Sequence, residues 1–202
     1  MSRFIVFLVL LCFGAPAEAT SNILVFGDSL SAGYGLRSAQ AWPSLLAERL
    51  RKQSPGYAVI NASISGETTA GGRTRLPDAL QRHRPGIVII ALGANDGLRG
   101  LSLDAMRDNL RTMISDAQRA RAKVLLIGMQ MPPNYGPQYT QKFRAVFADL
   151  AVSTKTALVP LLLEGFADKR SLFQADTIHP AAAAQPLILE NIWPTLGLLL
   201  KK

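Results

Sequence analysis

Residues 87–92 read Ile-Val-Ile-Ile-Ala-Leu, six apolar positions without a polar break. A strand with one face in water alternates apolar and polar residues, because successive side chains point to opposite faces. An unbroken apolar run needs cover on both faces, the condition of a parallel sheet held between layers of helices. Shorter runs of the same kind stand at 23–26, 57–60, 124–127 and 157–159. Helical spacings fill the gaps. Trp42, Leu45, Leu46 and Leu50 predict a helix over 42–52, with Pro43 in the first turn, where its missing N–H is tolerated. Residues 69–82 predict another, although Gly71 and Gly72 weaken its start. Leu103, Met106, Leu110, Met113, Ile114 and Ala117 form an apolar stripe of helical period, and Phe143, Val146, Phe147 and Leu150 form a second. Residues 181–200 read as a closing helix interrupted near Pro186 and Pro194.

The alternation gives an α/β class: one open parallel sheet with helices on both faces. A chain of 202 residues suits a single domain with an ample core. Its 49% hydrophobic and 18% charged residues exclude a disordered chain. There is no internal repeat, low-complexity tract or linker.

The start of the chain reads as a secretory signal peptide. Met1-Ser2-Arg3 is a short basic beginning, residues 4–15 are apolar, and Ala17-Glu18-Ala19 is an A-x-A cleavage signal. The apolar run falls short of the roughly 20 residues that a bilayer span requires. A lipoprotein reading fails because Cys12 lies inside the apolar run. Residues 1–19 are therefore expected to be removed, leaving 20–202 as one domain, periplasmic or secreted. Cys12 is the only cysteine, so the mature chain is expected to have no disulfide, no thiol nucleophile and no thiolate metal site. Cleavage removes Arg3 and Glu18 together and leaves the formal charge at +8. That charge allows weak attraction to an anionic membrane surface. Plain solubility is the preferred explanation, since the basic residues are scattered. No zinc-finger spacing or basic–aromatic array points to nucleic acid.

In open parallel sheets, ligands bind beyond the carboxyl ends of the strands. Three polar loops are expected there: Gly27-Asp28-Ser29-Leu30-Ser31, residues 63–69, and Gly93-Ala94-Asn95-Asp96-Gly97. Ser29 follows a buried strand directly. A serine in such a place is commonly a helix cap, and its hydroxyl is a poor nucleophile until an imidazole takes its proton. The chain has two histidines. His83 stands in a polar helix end before the third strand, at the far end of the sheet, and fits a solvated helix terminus. His179 stands in Asp176-Thr177-Ile178-His179-Pro180, with a carboxylate three positions earlier that can hold the ring if the backbone curls. A tetrahedral intermediate also needs donors for its oxyanion. Gly66 can offer a backbone N–H and Asn95 a side-chain amide, although both residue types are ordinary in turns. The glycines at 66–72 resemble a phosphate loop, but no Lys-Ser/Thr follows.

Four ordered blocks now stand on the chain: Gly-Asp-Ser-Leu-Ser at Ser29, Ser-Gly-Glu-Thr-Thr at Gly66, Gly-Ala-Asn-Asp-Gly at Asn95, and Asp-x-x-His at Asp176 and His179. In this order they resemble the SGNH (GDSL) hydrolase superfamily, on the branch of periplasmic thioesterases, lysophospholipases and secreted arylesterases. The likeness covers the whole mature chain. It implies a three-layer, flavodoxin-like fold with a five-stranded parallel sheet in the order 2-1-3-4-5. It further implies Ser29 as nucleophile, His179 as base and Asp176 as its orienter, with oxyanion donors from the Ser29 and Gly66 amides and the Asn95 side chain. No cofactor or metal is expected. The expected partner is a small-molecule or lipid acyl ester, and the expected state is a monomer. An acyl trough is expected along Leu30, Gly97, Leu98, Met131, Pro133 and Tyr135, with residues 97–102 as a lid. Two rival readings are a polysaccharide O-deacetylase of the same superfamily and an inert lipid- or glycan-binding domain.

Overall fold

The structure is a computed structural model and describes residues 21–200. The expected signal peptide, residues 1–19, lies outside the described residues. The chain runs β1 (Ser21–Gly27), α1 (Ser29–Ala32), α2 (Trp42–Gln53), β2 (Tyr57–Asn61), α3 (Thr69–His83), β3 (Ile87–Ala91), α4 (Ala94–Leu98), α5 (Leu103–Arg119), β4 (Lys123–Ile127), α6 (Pro137–Thr154), β5 (Ala157–Val159) and α7 (Gln185–Leu200). The five strands form one sheet in the order β2-β1-β3-β4-β5. Every pairing is parallel. This is the α/β architecture and the strand order expected from the sequence.

Burial explains the central strands. All five residues of β3 are buried, and β1 is buried from Ile23 to its end. Helices α2 and α7 pack together over one face of the sheet, while α3, α5 and α6 cover the other. Helix α5 buries Met106, Leu110, Met113, Ile114 and Ala117, the stripe read from its spacing. Its N-terminus is capped by Ser102, whose Oγ accepts the Ala105 N–H at 3.2 Å.

Two expectations need correction. The closing helix is not interrupted at its prolines. Pro186 is the second residue of α7, where no intrahelical bond is lost. Pro194 does remove an internal bond, but Ile188, Leu189, Ile192 and Leu196 stay buried on one face and carry the helix through. The segments after β1 and β3 are also not loops throughout. Each holds a very short helix, α1 and α4, and these two helices carry Ser29 and Asn95. Among the described residues, no helix is long and apolar enough to cross a membrane.

Candidate active site

Strand β1 ends at Gly27, and Asp28 turns the chain into α1. The Asp28 carboxylate accepts the Leu30 N–H at 3.0 Å and so caps this helix. Ser29 is the first helical residue. At that position a helix leaves its amide without an internal acceptor, and the Ser29 N–H makes no backbone hydrogen bond among the described residues.

The acid and base arrive on a tight hairpin. Phe173 and Pro180 form an antiparallel bridge, and the Gln174 N–H donates to the His179 carbonyl at 2.8 Å. Between them the chain curls around one carboxylate. Asp176 Oδ1 accepts the N–H groups of Ile178 and His179, each at 3.0 Å. Thr177 takes φ +65°, a left-handed conformation that a β-branched residue adopts only under constraint. The curl brings Asp176 Oδ2 to 2.7 Å from His179 Nδ1. The same imidazole reaches across 150 positions, placing Nε2 2.9 Å from Ser29 Oγ. With its proton on Nδ1, the ring donates to Asp176 and accepts from the Ser29 hydroxyl. The hydrogen bonds from the His179 N–H, the His179 ring and the Ile178 N–H hold Asp176 down to about 2, so it is ionised at neutral pH.

Two glutamines fix this hairpin, and no sequence pattern singles them out. Gln174 Nε2 donates to the Tyr34 carbonyl at 2.8 Å and to the Pro180 carbonyl at 3.3 Å. Gln185 is buried. Its Oε1 accepts the Trp42 N–H at 3.0 Å, and its Nε2 donates to the Pro180 carbonyl at 3.4 Å. Tyr34 was also missed as a site residue. Its ring lies 4.4 Å from the His179 ring, centroid to centroid.

Gly66 and Asn95 stand on neighbouring segments, joined through the residue after Gly66. Gly66 has φ +79°, and a Cβ there would meet nothing nearer than 3.6 Å. The backbone conformation, not lack of space, calls for glycine. The Gly66 carbonyl accepts from Arg99 Nη2 at 2.9 Å. Asn95 Nδ2 donates to the next carbonyl, that of Glu67, at 2.9 Å, and its second contact is Asp28 Oδ2 at 3.4 Å. Asp28 therefore backs both Ser29 and Asn95. Burial pushes its carboxyl up to about 6, against the bond from Leu30 and the attraction of His179.

The expected trough residues do not share one setting. Leu30, Gly97 and Met131 are buried. A Cβ at Gly97 would lie 2.5 Å from Met131 Sδ, so the two pack tightly. Leu98 and Tyr135 are half-buried and joined, the Tyr135 hydroxyl donating to the Leu98 carbonyl at 3.0 Å. Tyr139 secures the Gly97 carbonyl in the same way, at 3.2 Å. Pro133 is exposed and faces a surface groove of about 450 Å³ with Gln130, Pro137 and Arg144. A second groove, of about 340 Å³, lies between α2 and α7, away from Ser29.

The profile of the GDSL-like lipase/acylhydrolase family matches residues 25–186. The chain belongs to this family. Membership makes it an ester hydrolase by class. Esterase TesA of Pseudomonas aeruginosa is 51% identical over 193 residues, covering 96% of this chain and 94% of the relative. An arylesterase of Vibrio mimicus is 40% identical, covering 95% and 96%. The thioesterase 1/protease 1/lysophospholipase L1 of Escherichia coli is 41% identical, covering 91% and 86%. Among solved structures, a psychrotrophic esterase EstA from Pseudoalteromonas, inhibited by monoethylphosphonate, superposes with a TM-score of 0.85 at 38% identity. That match covers 90% of this chain and all of the other. This GDSL acylhydrolase thus shares fold and length with named esterases.

Proposed function

We propose that this acylhydrolase is an exported serine esterase that cleaves aryl and alkyl esters, lysophospholipids and acyl thioesters through an acyl-enzyme. The observation that carries the proposal is the continuous line from Asp176 through His179 to Ser29 Oγ, with contacts of 2.7 and 2.9 Å. Its substrate range follows the relatives, which are named esterase, arylesterase and thioesterase/lysophospholipase.

Ser29 Oγ attacks the acyl carbonyl while His179 Nε2 takes its proton. The oxyanion is held by the Ser29 and Gly66 N–H groups and the Asn95 amide. His179 then protonates the leaving alcohol or thiol. Water, deprotonated by the same ring, attacks the acyl-enzyme and releases the carboxylic acid. Asp176 fixes the tautomer and stabilises the imidazolium. The acyl chain lies along Leu98, Pro133 and Tyr135, over a floor that includes Leu30, Gly97 and Met131. A glycan reading has less support: Trp42 is fully buried, and Trp193 lies under Arg49 on the α2–α7 face.

A fluorophosphonate probe is expected to label Ser29 in the native chain and to leave Ser29→Ala unlabelled. A panel of p-nitrophenyl esters, run beside a lysophospholipid and an acyl-CoA, ranks the substrates. An unlabelled native chain would rule out the serine mechanism. Export through residues 1–19 is tested separately by N-terminal sequencing of the expressed protein, with Thr20 expected first.

A further inference from the structure

Exposed large apolar side chains are normally scattered. Here four of them stand on the loops that carry the site. Tyr34 is 52% exposed, Ile64 48%, Ile178 48% and Leu101 43%. Tyr34 packs on His179, and Ile178 immediately precedes it. The Ile64 N–H donates to the carbonyl of Gly27, two residues before Ser29. The Leu101 N–H donates to the Asp96 carbonyl, in a loop that Arg99 ties to Gly66. Four separate loops therefore present one apolar side chain each at the carboxyl edge of the sheet. A trough for a single acyl chain does not need exposed apolar groups on every neighbouring loop.

The charges on these loops are one-sided. Arg37 and Arg99 are exposed on the loops of Tyr34 and Leu101. Across residues 33–41, 62–68, 97–102 and 174–180 the only carboxylates are Glu67 and Asp176. Glu67 pairs with Arg75 and Asp176 with His179. The rim thus offers apolar side chains and unopposed cations together, on a chain of formal charge +8.

We infer that this rim docks the enzyme on an anionic phospholipid surface. The inference rests on the esterase reading above and adds where its lipid substrate is met. Cations draw the rim to the headgroups, and the four apolar side chains then enter the headgroup–acyl boundary. Ser29 faces the layer from which a lysophospholipid enters without crossing bulk water.

The test is flotation of mature Ser29→Ala protein, residues 20–202, with vesicles of phosphatidylcholine containing phosphatidylglycerol. The protein is expected to float with them. Adding Ile64→Ser and Leu101→Ser is expected to weaken partitioning about tenfold or more, from the apolar area withdrawn. Adding Val152→Ser and Leu198→Ser instead removes exposed apolar groups from the last turns of α6 and α7, at the other end of the sheet, and is expected to leave partitioning unchanged. Thermal melts establish that both variants are folded. Equal flotation of the two variants would overturn the inference. So would a concentration-dependent dimer that only the rim variant abolishes, since the rim would then cover a second copy. Fluorophosphonate labelling of the unsubstituted chain reports the esterase reading independently. A chain that labels but does not float overturns the docking alone.

Discussion

Asp28→Asn isolates the cost of placing a buried carboxylate beside Ser29. Asp28 is 2% exposed, and its pKa is raised from 3.8 to about 6, mainly by burial. Between these two values the folded chain binds more protons than the unfolded one, so stability falls as pH rises through the window. Once both states are ionised, the charge costs the folded state about 3 kcal/mol. Asparagine keeps an oxygen for the Leu30 N–H but turns an amide toward Asn95 Nδ2. That donor–donor contact is unfavourable, yet it does not titrate. The informative quantity is therefore the pH dependence of the difference between the two proteins, not its absolute size. Urea unfolding from about pH 4 to about pH 8 should show the native chain losing most of that amount, about 2 kcal/mol, relative to Asp28→Asn, with most of the loss complete near pH 7. Parallel stability curves across this range would refute the argument.

Three other substitutions probe separate parts of the site. Asn95→Ala should lower kcat about 10²–10³-fold with little change in KM, measured on a p-nitrophenyl ester, because it removes one oxyanion donor. Asp176→Asn should cost about 10⁴-fold in kcat while the fold persists, since the imidazole loses the carboxylate that sets its tautomer; near-native turnover would remove Asp176 from the mechanism. Gly97→Ala should destabilise the chain by about 1–3 kcal/mol in a thermal melt, because its Cβ would lie 2.5 Å from Met131 Sδ and 2.7 Å from a Phe143 ring carbon. An unchanged melting temperature would show that this contact relaxes freely.

Much of the sheet was legible because its strands are covered on both faces. That burial leaves unbroken apolar runs such as residues 87–92, and the helices between them keep clear stripes. The two short helices α1 and α4 were not legible, since four or five residues cannot display a period of 3.6. Pro194 misled for a different reason. Its local penalty is real, but the buried face of α7 outweighs it. At the site, the four motif blocks were visible because each is local in sequence. Gln174, Gln185 and Tyr34 were not, because their contacts join residues about 140 or more positions apart. A single glutamine carries no pattern.

Every strand of the sheet is complete by Val159, while Asp176 and His179 come later. The order of synthesis therefore completes the strands before the Ser29–His179 contact can form. A ribosome delivers the five strands and Ser29 first, and no imidazole reaches the Ser29 hydroxyl until the last segment has been made and its hairpin has closed. A chain cut between Val159 and Asp176 retains all five strands and has no base, so turnover certifies a finished molecule in a way that a spectrum of the sheet does not.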